Sequence, residues 1–463
     1  MADLRSMEER NSATGVKRGI RSSDDGSGMS SSWLQRALLA VAVTGAISAC
    51  GDGGQAGGGG DPEVAKSSVR SVDWPYFGRV PERTHYIAEA PDPPFRFGWV
   101  FWAHQLIEFP PAIAGDAMFL VNKTGEVYAL GTGTGKVRWQ RNLGRNVTGP
   151  AYSDGRLYVA QFGGGFVALD AKTGEQRWAF HSPSHLESSP LALGSRVYFG
   201  SDAGLLYALD ASTGKVAWKR SLGAPIKASP TYHDGVLYVG DYHGRIHAVS
   251  AADGRPRWTE DTGDGGGFYS SPAVAFGRVY EARDDGTVFS LTLDGHPTWR
   301  FAASNAIYSS PSVGDIPGAG PMLFVGSYNH QLYALDASTG KKRWSYDVGG
   351  QIPGSPTVVG TTVYTSSFDT SKTVGLDAAN GKPVWTWGSA GYEPMISDGQ
   401  RVFLIGYQTI WAFDDCVPPG KGPQPSGGSA AGSVPACKRS ADAHLIDVAR
   451  ALRLDRPLSS AAR

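Results

Sequence analysis

LYALDASTGK occupies Leu206–Lys215 and returns, letter for letter, at Leu332–Lys341. A ten-residue repetition does not arise by chance, and the 126 positions between the copies are a multiple of a shorter period. Each copy ends in a tryptophan three residues on, Trp218 and Trp344, and looser copies end at Trp139, Trp178, Trp258, Trp299 and Trp385. Successive tryptophans stand 39, 40, 40, 41, 45 and 41 residues apart. Such a period belongs to propellers and to some helical solenoids. Within one unit, Ser189–Trp218, the apolar runs RVYFG and LLYALD are parted by Gly, Asp and Ser turns, and no stripe of helical period is present. Thr-Gly-Lys reads as a hairpin turn whose glycine, Gly214 or Gly340, takes positive φ. One unit is therefore four short antiparallel strands, a propeller blade.

The last unit is incomplete. Arg401–Asp415 supplies its inner strands, but Cys416 and Pro418–Pro419 stand where the hairpin and tryptophan belong. The missing outer strand lies at the other end, in Phe95–Ile113, where Trp99 precedes Trp139 by 40 residues. The sequence thus predicts an all-β, eight-bladed propeller over residues 95–415, its last blade closed by the N-terminal strand so that no edge stays unpaired. Residues 1–50 read as a leader, 51–94 as a flexible tether and N-terminal extension, and 416–463 as a Gly/Pro/Ser-rich tail.

The pattern Ala208, Asp210, Thr213, Gly214, Lys215, Trp218, repeated at Ala334, Asp336, Thr339, Gly340, Lys341 and Trp344, resembles the tryptophan-docking repeat of the PQQ-dependent dehydrogenase superfamily. The resemblance covers the propeller and implies that Trp99, Trp139, Trp178, Trp218, Trp258, Trp299, Trp344 and Trp385 are structural, each packing on a neighbouring blade's glycine. Each indole N–H then seeks a backbone acceptor. Two units depart: the one ending at Trp299 is a residue short and lacks the Asp, and Ser250 replaces it in the one ending at Trp258. Less regular packing is expected there.

Forty-three basic residues balance 43 acidic ones, so no net field recruits nucleic acid or an anionic membrane. Trp33–Cys50 has Arg36, an apolar run Ala37–Ile47 and then small residues, which suits a signal sequence and is too short to span a bilayer. Ile47-Ser48-Ala49-Cys50 resembles a bacterial lipobox, implying lipidation at Cys50. Met29 stands where a signal of this kind would start. Gly51–Lys66 reads as a tether reaching about 20–24 Å. Cys416 and Cys437 are read as a disulfide of an exported protein, in preference to free thiols; it would close a loop of about 20 residues, worth about 3 kcal/mol. His444–Leu454 carries Leu445, Val448, Ala449 and Leu452 at helical spacing.

Chemistry is sparse. His181 and His185 fall in a loop, and His243 and His247 in a strand context too far apart to chelate one ion, so no metal site is assigned. The quinoprotein dehydrogenases of the resembled superfamily hold PQQ with calcium, an Asp base and a disulfide of adjacent cysteines. Here the cysteines are 50, 416 and 437, and no haem-attachment motif or nucleophile elbow occurs. No catalytic residue is assigned.

Variation among the blades locates a face. Each inner strand starts at a proline (Pro111, Pro150, Pro190, Pro230, Pro272, Pro311, Pro356, Pro394), and three residues before stand Glu108, Val147, Glu187, Lys227, Tyr269, Tyr308, Pro353 and Gly391. A purely structural position is filled alike in every blade; this one collects charges and tyrosines. The loop between the second and third strands adds Phe162, Asp202, Tyr242, Asp284, Tyr328 and Phe368 on the same face, opposite the Thr-Gly-Lys hairpins. That face is the expected ligand or partner surface. The favoured reading is a monomeric, non-catalytic lipoprotein anchored to a bacterial membrane outside the cytoplasm, a scaffold similar to the BamB-like propellers of barrel assembly, with no cofactor. Its partner would be a cell-envelope protein or a small ligand. The alternative is a quinoprotein-like oxidoreductase with PQQ and calcium, or a sugar-like ligand, at the channel mouth.

Overall fold

A computed structural model describes residues 73–145, 148–392 and 394–415. The leader with Cys50, Val147, the Cys416–Cys437 pair and the His444–Leu454 stretch lie outside the described residues. Among those described, no helix is long and apolar enough to cross a membrane.

Eight sheets follow one another as the period predicts. In the blade holding the first ten-mer the strands are Leu191–Leu193, Arg196–Gly200, Leu205–Asp210 and Val216–Ser221, antiparallel throughout. The middle two strands are continuous buried runs, because each sheet is packed on both faces by its neighbours. The outer strand is exposed at alternate residues. Just before each tryptophan the register slips, as between Ala208 and Leu209 opposite Trp218 and Val216. Such a bulge re-aims the next side chain, here the indole, across the gap to the neighbouring blade.

There the tryptophan does what the repeat implies. Trp178 Nε1 donates to the Ala211 carbonyl at 3.0 Å, and the same bond from Trp99, Trp139, Trp218, Trp258, Trp299 and Trp344 spans 2.8–3.1 Å. Gly214 lies against the Trp178 ring with φ +71°, and a Cβ there would sit 2.5 Å from the ring. The two irregular units keep this geometry: Trp218 reaches Ala251 at 3.0 Å and Trp258 reaches Leu293 at 2.8 Å. The looser packing expected of them is absent at this contact, because the acceptor is a backbone carbonyl and tolerates loss of the Asp.

The ring closes as expected. Phe95–Trp102 pairs antiparallel with Thr409–Asp415, followed inward by Arg401–Ile405 and Met395–Ser397. Trp385 meets this last blade through an aromatic cluster instead of a hairpin, 5.8 Å from Phe95 and 5.7 Å from Phe413.

One correction concerns residues 73–94, read from sequence as part of an extension outside the propeller. Trp74–Ile87 instead crosses the inside of the ring. Its carbonyls accept the N–H of the second inner-strand residue in six blades: Trp74 from Ile113, Pro75 from Tyr152, Pro81 from Tyr232, Glu82 from Val274, Thr84 from Val313 and His85 from Val358. Tyr86–Ile87 adds a short parallel strand to Thr357–Val359. Arg83, fully buried, reaches a seventh blade, donating to the carbonyls of Ser189, Pro190, Pro230 and Phe77. Innermost strands expose an unpaired edge to the channel, and this segment satisfies it.

Candidate functional site

Above this plug the channel opens into a funnel of about 570 Å³, part of it open to solvent. Its lining includes Glu108, Glu187, Lys227, Tyr269, Tyr308 and Pro353, six of the eight residues three before a proline, with Tyr392, next to the non-lining Gly391, from the eighth blade and Phe77 of the plug. Six of the eight positions found by counting back from the prolines therefore meet in one cavity. Asp202, Tyr242, Asp284, Tyr328, Phe162 and Phe368 are not among the lining residues, though Tyr328 touches Tyr308 and Phe368 touches Tyr392, which are. Their backbone ties the two loops together: Tyr242 N–H donates to Pro225, Tyr328 to Ala306 and Asp202 to His185.

The funnel is built on serines, whose signal in the sequence is a recurring Ser-Pro. The residue before the proline is Ser189, Ser229, Ser271, Ser310 or Ser355 in five successive blades. Each hydroxyl accepts the N–H of the equivalent residue one blade earlier, at 2.9 Å, starting from Gly149. This buried belt fixes the backbone from which the lining side chains project.

Electrostatically the mouth is paired. Glu187 and Lys227 form an ion pair of 3.0 Å, largely buried, and the ammonium also lies 5.3 Å from the centre of the Tyr242 ring. Glu108 faces Lys123 at 3.4 Å. Burial, then the Glu187 and Glu108 charges, hold the Tyr269 phenol well above its usual range, and Tyr392 is raised by burial and by Glu108. Both phenols are neutral at physiological pH. Edge-to-face contacts link Tyr269 with Tyr308, Tyr308 with Tyr328, and Phe368 with Tyr392. Paired charges, neutral phenols and aromatic side chains thus meet in one cavity.

A second polar cluster lies between the fourth and fifth blades. Buried Asp241 accepts from His247 Nε2 at 2.9 Å and Arg245 Nε at 3.0 Å. Glu281, fully buried, has its carboxyl raised well above the usual range by burial and by the Asp241 charge. Its signal in the sequence is a glutamate where the other blades carry Leu120, Val159, Phe199, Val239, Val325, Thr365 or Leu404. His243 sits in the turn before His247's strand, and no three His, Cys, Asp or Glu side chains converge on a metal position among the described residues.

Comparison with known proteins agrees with the fold. A family model described as outer membrane protein assembly factor BamB matches residues 123–225 and 306–414. The curated BamB of Nitrosomonas eutropha is 28% identical over 119 residues, 26% of this chain and 27% of its own length. The chain thus matches about a quarter of that relative's length. Among solved structures, BamB from Moraxella catarrhalis superposes with a TM-score of 0.58 at 19% identity, covering 70% of this chain and 98% of that one. A quinohemoprotein alcohol dehydrogenase from Comamonas testosteroni gives 0.64 at 16% identity, covering 79% and 83%.

Proposed function

We propose that this chain, a PQQ-like β-propeller of the superfamily that contains BamB and the quinoprotein dehydrogenases, serves as a non-catalytic binding and scaffold module of the cell envelope. The funnel carries the reading: Glu187 pairs with Lys227, Glu108 with Lys123, and protonated phenols and aromatic rings complete the wall, a set of groups suited to contact with a partner. The BamB relatives, named as outer membrane assembly factors, support a partner among envelope proteins. The lipobox at Cys50 supports a lipid anchor facing away from the cytoplasm, with the plugged propeller acting as a monomer.

PQQ does not fit the lining. That cofactor is a flat tricarboxylate, and it would meet Glu108 and Glu187 with Lys227 as the single cation among the lining residues, itself engaged by Glu187. The quinoprotein alternative therefore lacks support from the donor set.

The test is photo-crosslinking in the host from Tyr328, at the mouth, and from Ser212, in the opposite hairpin face. A defined protein adduct from position 328 alone supports the reading; adducts from 212 alone contradict it. Fractionation of Cys50→Ala checks the anchor, because a variant that stays in the membrane fraction refutes lipidation.

A further inference from the structure

Four serines of the belt also line the funnel: Ser229, Ser271, Ser310 and Ser355, from four successive blades. None is more than 4% exposed. Each hydroxyl accepts one backbone N–H at 2.9 Å, and its own O–H has no acceptor among the described residues. A hydroxyl holds a donor as well as lone pairs, and buried donors are nearly always matched. Accepting an N–H polarises the O–H and strengthens it as a donor. The phenols of Tyr269 and Tyr392 line the same cavity, keep their protons and make no hydrogen bond among the described residues.

Charge decides what these donors receive. Glu187 is paired with Lys227 and Glu108 with Lys123, so neither carboxylate awaits a cation. An anion is disfavoured as well. After burial, the Glu187 and Glu108 charges are what push the Tyr269 phenol up, the sign of a negative potential in the cavity. The lining thus offers hydrogen-bond donors and no unpaired charge, which suits an uncharged group rich in acceptors. We propose that the serine row seats the carbonyl oxygens of an uncharged amide segment, the main chain of a loop that the partner inserts into the funnel, with Tyr269 and Tyr392 donating from the walls. This inference rests on the reading of the mouth as the contact face, and names the chemical group that the face receives.

The experiment is calorimetric titration of the intact protein with acetyl-Pro-Pro-dimethylamide, which offers carbonyl oxygens and no N–H, and with its thioamide counterpart, similar in shape but a poorer acceptor. The amide is expected to bind saturably, and the thioamide more weakly by about tenfold. Ser310→Ala should weaken the amide by about tenfold as well. Ser189→Ala loses the same kind of belt bond, but Ser189 does not line the cavity, so this variant should bind as the parent does. No saturable heat, equal binding of amide and thioamide, or equal affinities of the two serine variants would overturn the proposal. Displacement of the amide by an equal concentration of acetate would show an anion seat and overturn it too. If the amide fails while partner capture still depends on Glu187 and Lys227, the carbonyl seat falls and the contact face stands. If the amide binds as expected but capture ignores the mouth, the contact face falls.

Discussion

The hydroxyl of Ser229 accepts the backbone N–H of Ser189 across the gap between two blades, at 2.9 Å and shielded from water. Replacing Ser229 with alanine leaves that buried N–H without its acceptor. A buried donor left unmade costs about 1–3 kcal/mol. Ser229→Ala should therefore melt measurably below the parent, whereas Ser221→Ala on an exposed outer strand should fall within about 0.5 kcal/mol of it. Equal losses in the two would show that the belt contributes nothing.

Gly214 and Gly115 separate backbone strain from blade docking. Both have positive φ, +71° and +56°, but a Cβ at 214 meets the Trp178 ring at 2.5 Å while one at 115 meets nothing within 4 Å. Gly115→Ala should cost about 1–2 kcal/mol, the left-handed penalty alone. Gly214→Ala must also displace the indole from its bond to Ala211, and should cost about 1–3 kcal/mol more. Denaturant midpoints of the two variants check this, and identical midpoints would deny the docking its role.

The plug supplies a third expectation. A chain beginning at residue 88 keeps the closing strand Phe95–Trp102 but loses the carbonyls of Trp74–Ile87 and the Arg83 contacts. At about 1 kcal/mol net per backbone hydrogen bond, roughly 5 kcal/mol or more goes with them. Thermal melts should show a large drop relative to a chain beginning at residue 67. A chain beginning at residue 112, which also loses the closing strand, should lose cooperativity altogether. Equal melting of the first two would mean that the plug only fills space.

What the sequence disclosed and withheld follows from how each contact is specified. Trp-Gly docking and ring closure require particular side chains at a fixed period, so Trp99 standing 40 residues before Trp139 announced the shared blade. The plug binds six blades through its own carbonyls, bonds that leave no side-chain signature, and the side chains that do hold it, such as Arg83, follow no period that would mark them in residues 73–94. The funnel was legible as position: residues three before each proline vary, and Glu187, Lys227, Tyr269 and Tyr308 line one cavity. Its pairing was not, because the approach of Lys227 to Glu187 depends on the twist between adjacent blades. Glu281 was visible as a departure from the repeat but only burial gives that departure its meaning.

Glu281 also predicts a pH dependence. Its native carboxyl titrates well above its ordinary value of 4.5, held up by burial and by Asp241, which itself pairs with His247 and Arg245. Between the unfolded and native values the folded state holds the extra proton. This contribution is therefore fully present below the unfolded value and declines as pH rises, by up to about 1.4 kcal/mol per unit. Glu281→Gln removes the titration, so the variant should gain on the parent in urea midpoints as pH rises above 5. A constant difference over that range would place the carboxyl's ionisation elsewhere.

The contact face is tested most directly by paired substitution. Glu187→Ala with Lys227→Ala removes the mouth's ion pair as a unit and leaves neither charge stranded. Lys215→Ala with Lys341→Ala alters two hairpins on the opposite side. Each is compared with the parent for retention of envelope proteins from detergent-solubilised host membranes, after matching melts show that both fold. The mouth pair should lose the partner band and the hairpin pair should keep it; loss in the hairpin pair alone would put the contact on the other face of the propeller.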